Sequence, residues 1–178
     1  MPRPVLILFA HPAYEKSRVH LSLAAAVRDL PAVTFHDLYE EYPDLDIDVR
    51  REQELLRAHE VVVFQHPFYW YSVPPILKQW MDLVLEHGWA YGATGRALEG
   101  KTLQVAMTAG GRDQAYGPEG FNRLTFREFL APVEATARLC RMPFAEPWVV
   151  AGTHVITPQG VADATASYAA LIRRLGEG

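Results

Sequence analysis

Two rhythms of hydrophobic and polar positions alternate along the chain. Short, nearly continuous apolar runs fall at 4–10 (PVLILFA), 32–38 (AVTFHDL), 60–65 (EVVVFQ), 101–109 (KTLQVAMTA) and 147–153 (PWVVAGT). Runs of that length, rich in Val, Ile and Leu, predict strands covered on both faces. Between them the spacing is helical. Val19, Leu23, Ala26, Val27 and Leu30 share one face of a first helix, and 49–59 predicts a second, with Asp48 as N-cap. Ile76, Leu77, Trp80, Met81, Val84 and Leu85 form the face of a third, started by Pro74 and Pro75 and ended by Gly88. Thr125 and Glu128 have capping-box spacing ahead of a periodic run to Cys140, where Pro132 predicts a kink. Thr157 and Pro158 open a last helix to about Leu175, with Gly176 beyond it. Five rounds of strand then helix predict an α/β fold: one domain over 1–178, a parallel sheet with helices on both faces.

In such a sheet, ligands bind beyond the carboxyl ends of the strands. Three loops in that position carry unusual residues: HPAYEKSRVH (11–20), HPFYWYSVPP (66–75) and TAGGRDQAYGPEG (108–120). The first lacks both GxGxxG and GxxxxGK[ST], which disfavours a dinucleotide fingerprint or a P-loop. It places Ser17, Arg18 and His20 at a helix start, where free N–H groups and the helix dipole bind phosphate. Taken alone, the loop favours the plainer reading, with Ser17 only an N-cap, Arg18 on the surface and His11 a satisfied turn residue. Gly110–Gly111 lets backbone approach a ligand or simply makes a turn, and Tyr116 is a phenol donor or a packing residue. The second loop crowds Phe68, Tyr69, Trp70 and Tyr71 together, more ring surface than a small core absorbs from one loop. A planar conjugated ring with a phosphorylated tail calls for all three features: backbone donors at its edge, apolar walls, and a helix N-terminus under the phosphate. The acidic loop 39–48 reads as a solvated surface.

Composition narrows the classes. A net charge of −4 gives no basic surplus for nucleic acid. Cys140 is the single cysteine, so there is no internal disulfide, and seven histidines without ligand spacing predict no metal site. The apolar run at 4–10 is too short for a signal peptide or a membrane helix, so a cytoplasmic protein is expected. Ser72 has no His/Asp partner at readable spacing, which disfavours a hydrolase.

The motifs AHP…KSRVH, YPDLDID, QHPFYWYSVPPILKQWMDLVLEHGWAYG, GKTLQVAMTAGG and EFLAPVEATARLC together resemble the flavodoxin-fold NAD(P)H:quinone oxidoreductases. That family includes DT-diaphorase and the bacterial ancillary proteins of glutathione-gated potassium efflux, and the latter branch is the more similar. The resemblance implies a flavodoxin-like five-stranded sheet in the order 2-1-3-4-5, a homodimer, and FMN rather than FAD, because the tail is short. It implies two-electron, ping-pong hydride transfer from NADH or NADPH to a quinone. It places the cofactor on His11, Ser17, Arg18, Val19 and His20, on Pro67, Phe68, Tyr69, Trp70 and Tyr71, and on Thr108, Ala109, Gly110, Gly111 and Tyr116. Gly110, Gly111 and Tyr116 become the catalytic donors, with Trp70 and Tyr71 walling the flavin. Two positions depart from the family: Ala109 replaces a threonine, and Asn122 stands where a relay histidine is expected. The alternative is a regulatory subunit of a potassium-efflux transporter, peripheral at the inner membrane face, with reductase activity secondary. An electron-carrier flavodoxin fits less well, since such chains are more acidic and carry a Ser/Thr-rich phosphate loop.

Overall fold

A computed structural model describes residues 2–177. Five parallel strands, β1 (Val5–Phe9), β2 (Val33–Asp37), β3 (Val61–Pro67), β4 (Thr102–Thr108) and β5 (Trp148–Val150), lie in the order β2-β1-β3-β4-β5, the flavodoxin-like order. The helices are α1 (Arg18–Val27), α2 (Leu38–Glu41), α3 (Val49–Ala58), α4 (Pro75–Val84), α5 (Phe126–Phe129), α6 (Ala131–Leu139) and α7 (Pro158–Gly176).

The period-2 pleat sorts the strand residues between two cores. Leu6, Leu8, Val62, Phe64, Val105 and Met107 face α3, α4 and α6, packing on Leu56, Ile76, Leu77, Trp80 and Val133. Val5, Ile7, Val61, Val63 and Ala106 face α1 and α7, packing on Leu23, Val27, Tyr168 and Ile172. Every residue of β1 and β3 is buried, which accounts for the apolar runs at 5–9 and 61–64.

One carboxylate ties the first of these layers together. Glu52 of α3 is fully buried and accepts from His36 Nε2 (2.8 Å), Tyr42 Oη (2.6 Å) and Trp80 Nε1 (2.7 Å). Burial alone pushes its carboxyl up, but these donors outweigh burial and hold it below the ordinary glutamate value. Edge strand β2, the loop after it, α3 and α4 therefore share one satisfied charge.

The capping box at Thr125 and Glu128 forms. The run behind it breaks at Leu130 (φ −86°, ψ 4°), and α6 restarts with Pro132 in its first turn, as a proline that denies Glu128 its helical partner requires. Three boundaries differ from the sequence reading. α4 stops at Val84 rather than running to Gly88, β5 is only Trp148–Val150, and α7 includes Gly176. α2, a single turn capped by Asp37, sits in what reads as a strand end and an acidic loop.

Candidate functional site

Strand order reverses between β1 and β3, and beyond the carboxyl ends of β1, β3 and β4 a cleft of about 530 Å3 opens. That is the position and size expected of a small-molecule site in an open α/β sheet. Its lining comes from the loops after β1, β3, β4 and β5.

The base is the start of α1. A 3-10 turn, Tyr14–Lys16, leads to Ser17, whose Oγ accepts from the His20 N–H at 3.2 Å. Ser17 is thus an N-cap, and the amides of Arg18 and Val19 in the first turn have no intrahelical acceptor. Arg18 reaches across to the Ile156 carbonyl at 3.3 Å, which joins this turn to the loop after β5. Lys16 and Arg18 line the cleft and, among the described residues, no carboxylate does, so an acidic chain holds a locally cationic pocket. His11 takes the Ala13 N–H on Nδ1 at 3.1 Å, which leaves Nε2 as its donor. Burial lowers its pKa, partly offset by Glu15.

The wall is the aromatic loop. Ser72 N–H donates to Tyr69 O at 3.1 Å across a two-residue turn in which Trp70 (φ 50°) and Tyr71 (φ 62°) both adopt the left-handed conformation. This is the geometry of a type I′ turn, ordinarily filled by Asn-Gly, and bulky residues there are strained. The turn sends the two rings apart. Trp70 is 93% exposed at the cleft's rim. Tyr71 stacks on Phe129 (centroids 5.1 Å) and donates to Asn122 Oδ1 at 3.0 Å. Asn122 therefore latches the 112–125 loop to the aromatic turn. Phe68 packs inward among Tyr116, Phe126 and Phe129. Among the described residues, the N–H groups of Trp70, Tyr71, Gly110 and Gly111 have no backbone acceptor and remain available to a ligand edge.

The Gly110–Gly111 pair has a more specific reason than general freedom of approach. A Cβ on Gly110 would run into the His154 imidazole, and one on Gly111 would lie 2.9 Å from the Tyr116 hydroxyl. The two glycines are bracketed by an imidazole and a phenol, and only glycine lets both rings lie against that backbone. Tyr116 stacks on Phe126 at 3.8 Å, and burial raises its pKa.

His11, Ser17, Arg18, Val19, Pro67, Phe68, Tyr69, Trp70, Thr108 and Gly110 meet in the cleft. Gly111 and Tyr116 adjoin it without lining it, and Ala109 is buried beneath, its N–H bonded to Val150 O at 2.8 Å. Tyr71 points away, and His20 is buried behind the floor, its Nε2 2.9 Å from Thr108 Oγ1. Thr153 and His154 also line the cleft, though no sequence motif singles them out. Their one signal is position, directly after the fifth strand.

The fold and cleft define an α/β protein with an open cleft at the switch point of its sheet, rimmed by aromatic side chains and based on a helix N-terminus. Residues 3–172 match the model of a family described as Flavodoxin-like fold, and the chain belongs to that family. It is 42% identical over 167 residues to the glutathione-regulated potassium-efflux system ancillary protein KefG of Pectobacterium carotovorum, covering 94% of this chain and 91% of that one. It also superposes on general stress protein 14 of Treponema denticola, solved in complex with FMN, with a TM-score of 0.92 and 38% identity over 96% and 98% of the two chains. An NADPH-quinone reductase from P. pentosaceus aligns with a TM-score of 0.86 and 30% identity over 94% and 96%.

Proposed function

We propose that the cleft binds FMN non-covalently and that the protein is an FMN-dependent NAD(P)H:quinone oxidoreductase. The observation that carries this reading is the convergence in one 530 Å3 cleft of free backbone donors at Gly110, an aromatic rim, and a helix N-terminus flanked by Lys16 and Arg18. The residues fit the group: the α1 amides and Arg18 take the phosphate, and the Trp70, Tyr71, Gly110 and Gly111 amides meet the polar ring edge. When bound, FMN supplies two-electron hydride transfer between a nicotinamide donor and a quinone, which use one site in turn in a ping-pong order. Backbone N–H groups at Gly110 and Gly111 steady negative charge on the ring edge, with the Tyr116 phenol and the His154 imidazole on either side of them. The open mouth, rimmed by Trp70 (93% exposed), leaves the ring face accessible to the second reactant.

Two large exposed rings, Trp70 and Phe121 (93% and 87% exposed), also support a homodimer in which the partner covers them. Sedimentation should then give twice the chain mass, and a monomer at micromolar concentration would contradict it. The likeness to KefG supports a membrane potassium-efflux transporter as partner. Among the described residues no helix is long and apolar enough to cross a membrane, so membrane association would be peripheral. The activity test is anaerobic. NADH or NADPH should bleach the bound flavin and a quinone should restore it, and a flavin that neither nicotinamide reduces would refute the reductase assignment.

A further inference from the structure

Behind the cleft floor lies a hydrogen-bonded chain of side chains that ends at the cleft lining. Tyr168 of α7 donates its hydroxyl to Gln65 Oε1 of β3 at 2.8 Å. Gln65 Nε2 is 3.5 Å from His20 Nδ1, the long link, and His20 Nε2 is 2.9 Å from Thr108 Oγ1. Tyr168, Gln65 and His20 are buried, and Thr108, at 6% exposure, is the member that lines the cleft.

The chain has a direction. Among the described residues the Tyr168 hydroxyl has no acceptor but Gln65, so the Gln65 oxygen must face it. The Gln65 amide nitrogen then faces His20 Nδ1, which must be the lone-pair side of the ring. Burial, reinforced by neighbouring His11 and His66, lowers the His20 pKa well below its ordinary value, so the ring is neutral and carries its one proton on Nε2. That N–H is given to Thr108 Oγ1. The hydroxyl, already accepting, has its own hydrogen left and, among the described residues, no acceptor to take it.

We propose that His20, Gln65 and Tyr168 are positioning residues that preset the Thr108 hydroxyl as a hydrogen-bond donor into the cleft, toward an acceptor atom of the isoalloxazine ring. This rests on the FMN reading for the identity of the acceptor and on the buried chain alone for the direction of the donor. The hydroxyl of an unconstrained threonine can point either way. Here three buried groups remove that choice before the ligand arrives, which is the preorganisation that makes a neutral hydrogen bond count in binding.

Gln65→Glu tests the direction. The new carboxylate accepts from Tyr168 and from His20, so the imidazole proton moves to Nδ1 and the Nε2 lone pair captures the Thr108 hydrogen. In the flavin-free protein, nitrogen NMR of His20 should show the Nε2–H form in the natural chain and a protonated Nδ1 in Gln65→Glu. FMN affinity, read by fluorescence quenching, should fall roughly threefold to tenfold, the worth of one neutral hydrogen bond. Thr108→Val should lose as much, and the double variant no more than either alone. Should Gln65→Glu fail to fold, Tyr168→Phe keeps the packing but frees the amide to flip. Populating both directions equally then weakens FMN binding by about twofold. An Nδ1–H imidazole in the natural protein overturns the proposal, as does additive loss in the double variant or unchanged affinity in Thr108→Val. The expected tautomer in a protein that binds no FMN would instead overturn the flavin reading and the ligand assigned here.

Discussion

Trp70→Gly should strengthen the fold and weaken the site. Trp70 and Tyr71 hold consecutive left-handed conformations, at φ 50° and 62°. For a residue bearing a Cβ this costs roughly 1–2 kcal/mol. Glycine relieves that strain at Trp70 but adds unfolded-state freedom worth about 0.5–1 kcal/mol. Little burial is lost, because the indole is 93% exposed. The balance predicts a flavin-free protein more stable by about 0.5–1 kcal/mol. At roughly 2–4 °C per kcal/mol for a chain of this size, Tm rises by about 1–4 °C. The same change removes the rim of the cleft, and an aromatic contact worth roughly 0.5–1.5 kcal/mol should cost FMN about twofold to tenfold in affinity. Thermal unfolding without flavin and a fluorescence titration with it measure both halves. A Trp70→Gly protein less stable by more than about 1 kcal/mol would show that the ring packs rather than strains. Unchanged FMN affinity would show that the strained turn does not serve this ligand.

Other substitutions separate the parts of the structure. Glu52→Ala strands three buried donors and should cost about 3–5 kcal/mol in denaturant unfolding; a loss under about 1 kcal/mol would mean the network relaxes freely. Because the folded Glu52 carboxyl lies below its unfolded value, near about 4.3, its contribution is complete above that pH and fades as pH falls through the folded value. Fully buried His66, depressed to about 4 by burial, acts on the same limb: the unfolded chain takes up its proton first, so stability rises between about pH 4 and 6.5. Acid unfolding of Glu52→Ala should therefore be shallower than that of the natural chain, and an identical slope would contradict the assignment. Gly110→Ala should displace His154 and lower FMN affinity at least about tenfold with little change in the unfolding midpoint, and wild-type affinity would show that the imidazole moves aside without cost.

Strand runs and helix faces were legible in the sequence because burial on both sides of a parallel sheet leaves β1 and the first four residues of β3 continuously apolar. α2 was not, because one turn capped by Asp37 shows no periodicity. The site divides the same way. His11, Ser17, Arg18 and Gly110 announce themselves by residue type in loops at strand ends. Tyr71 stands out in an aromatic loop and His20 at a helix start, and the resemblance puts both on the cofactor, but the structure turns the first toward Asn122 and the second behind the floor. Gln65 reads only as part of an apolar strand and Tyr168 as part of a helix face. They meet across 103 positions of sequence, a distance no local pattern spans.

The central claim is an FMN site with its phosphate on the α1 N-terminus. Titrating the flavin-free protein with FMN and with riboflavin, for the natural chain and for Lys16→Ala/Arg18→Ala, tests it most directly. One FMN should bind per chain with quenched fluorescence. The double variant should lose at least about tenfold for FMN, as removal of charge-assisted contacts worth roughly 1.5–3 kcal/mol requires, and little for riboflavin, which has no phosphate. No quenching by FMN, or an equal loss for both flavins, would contradict it.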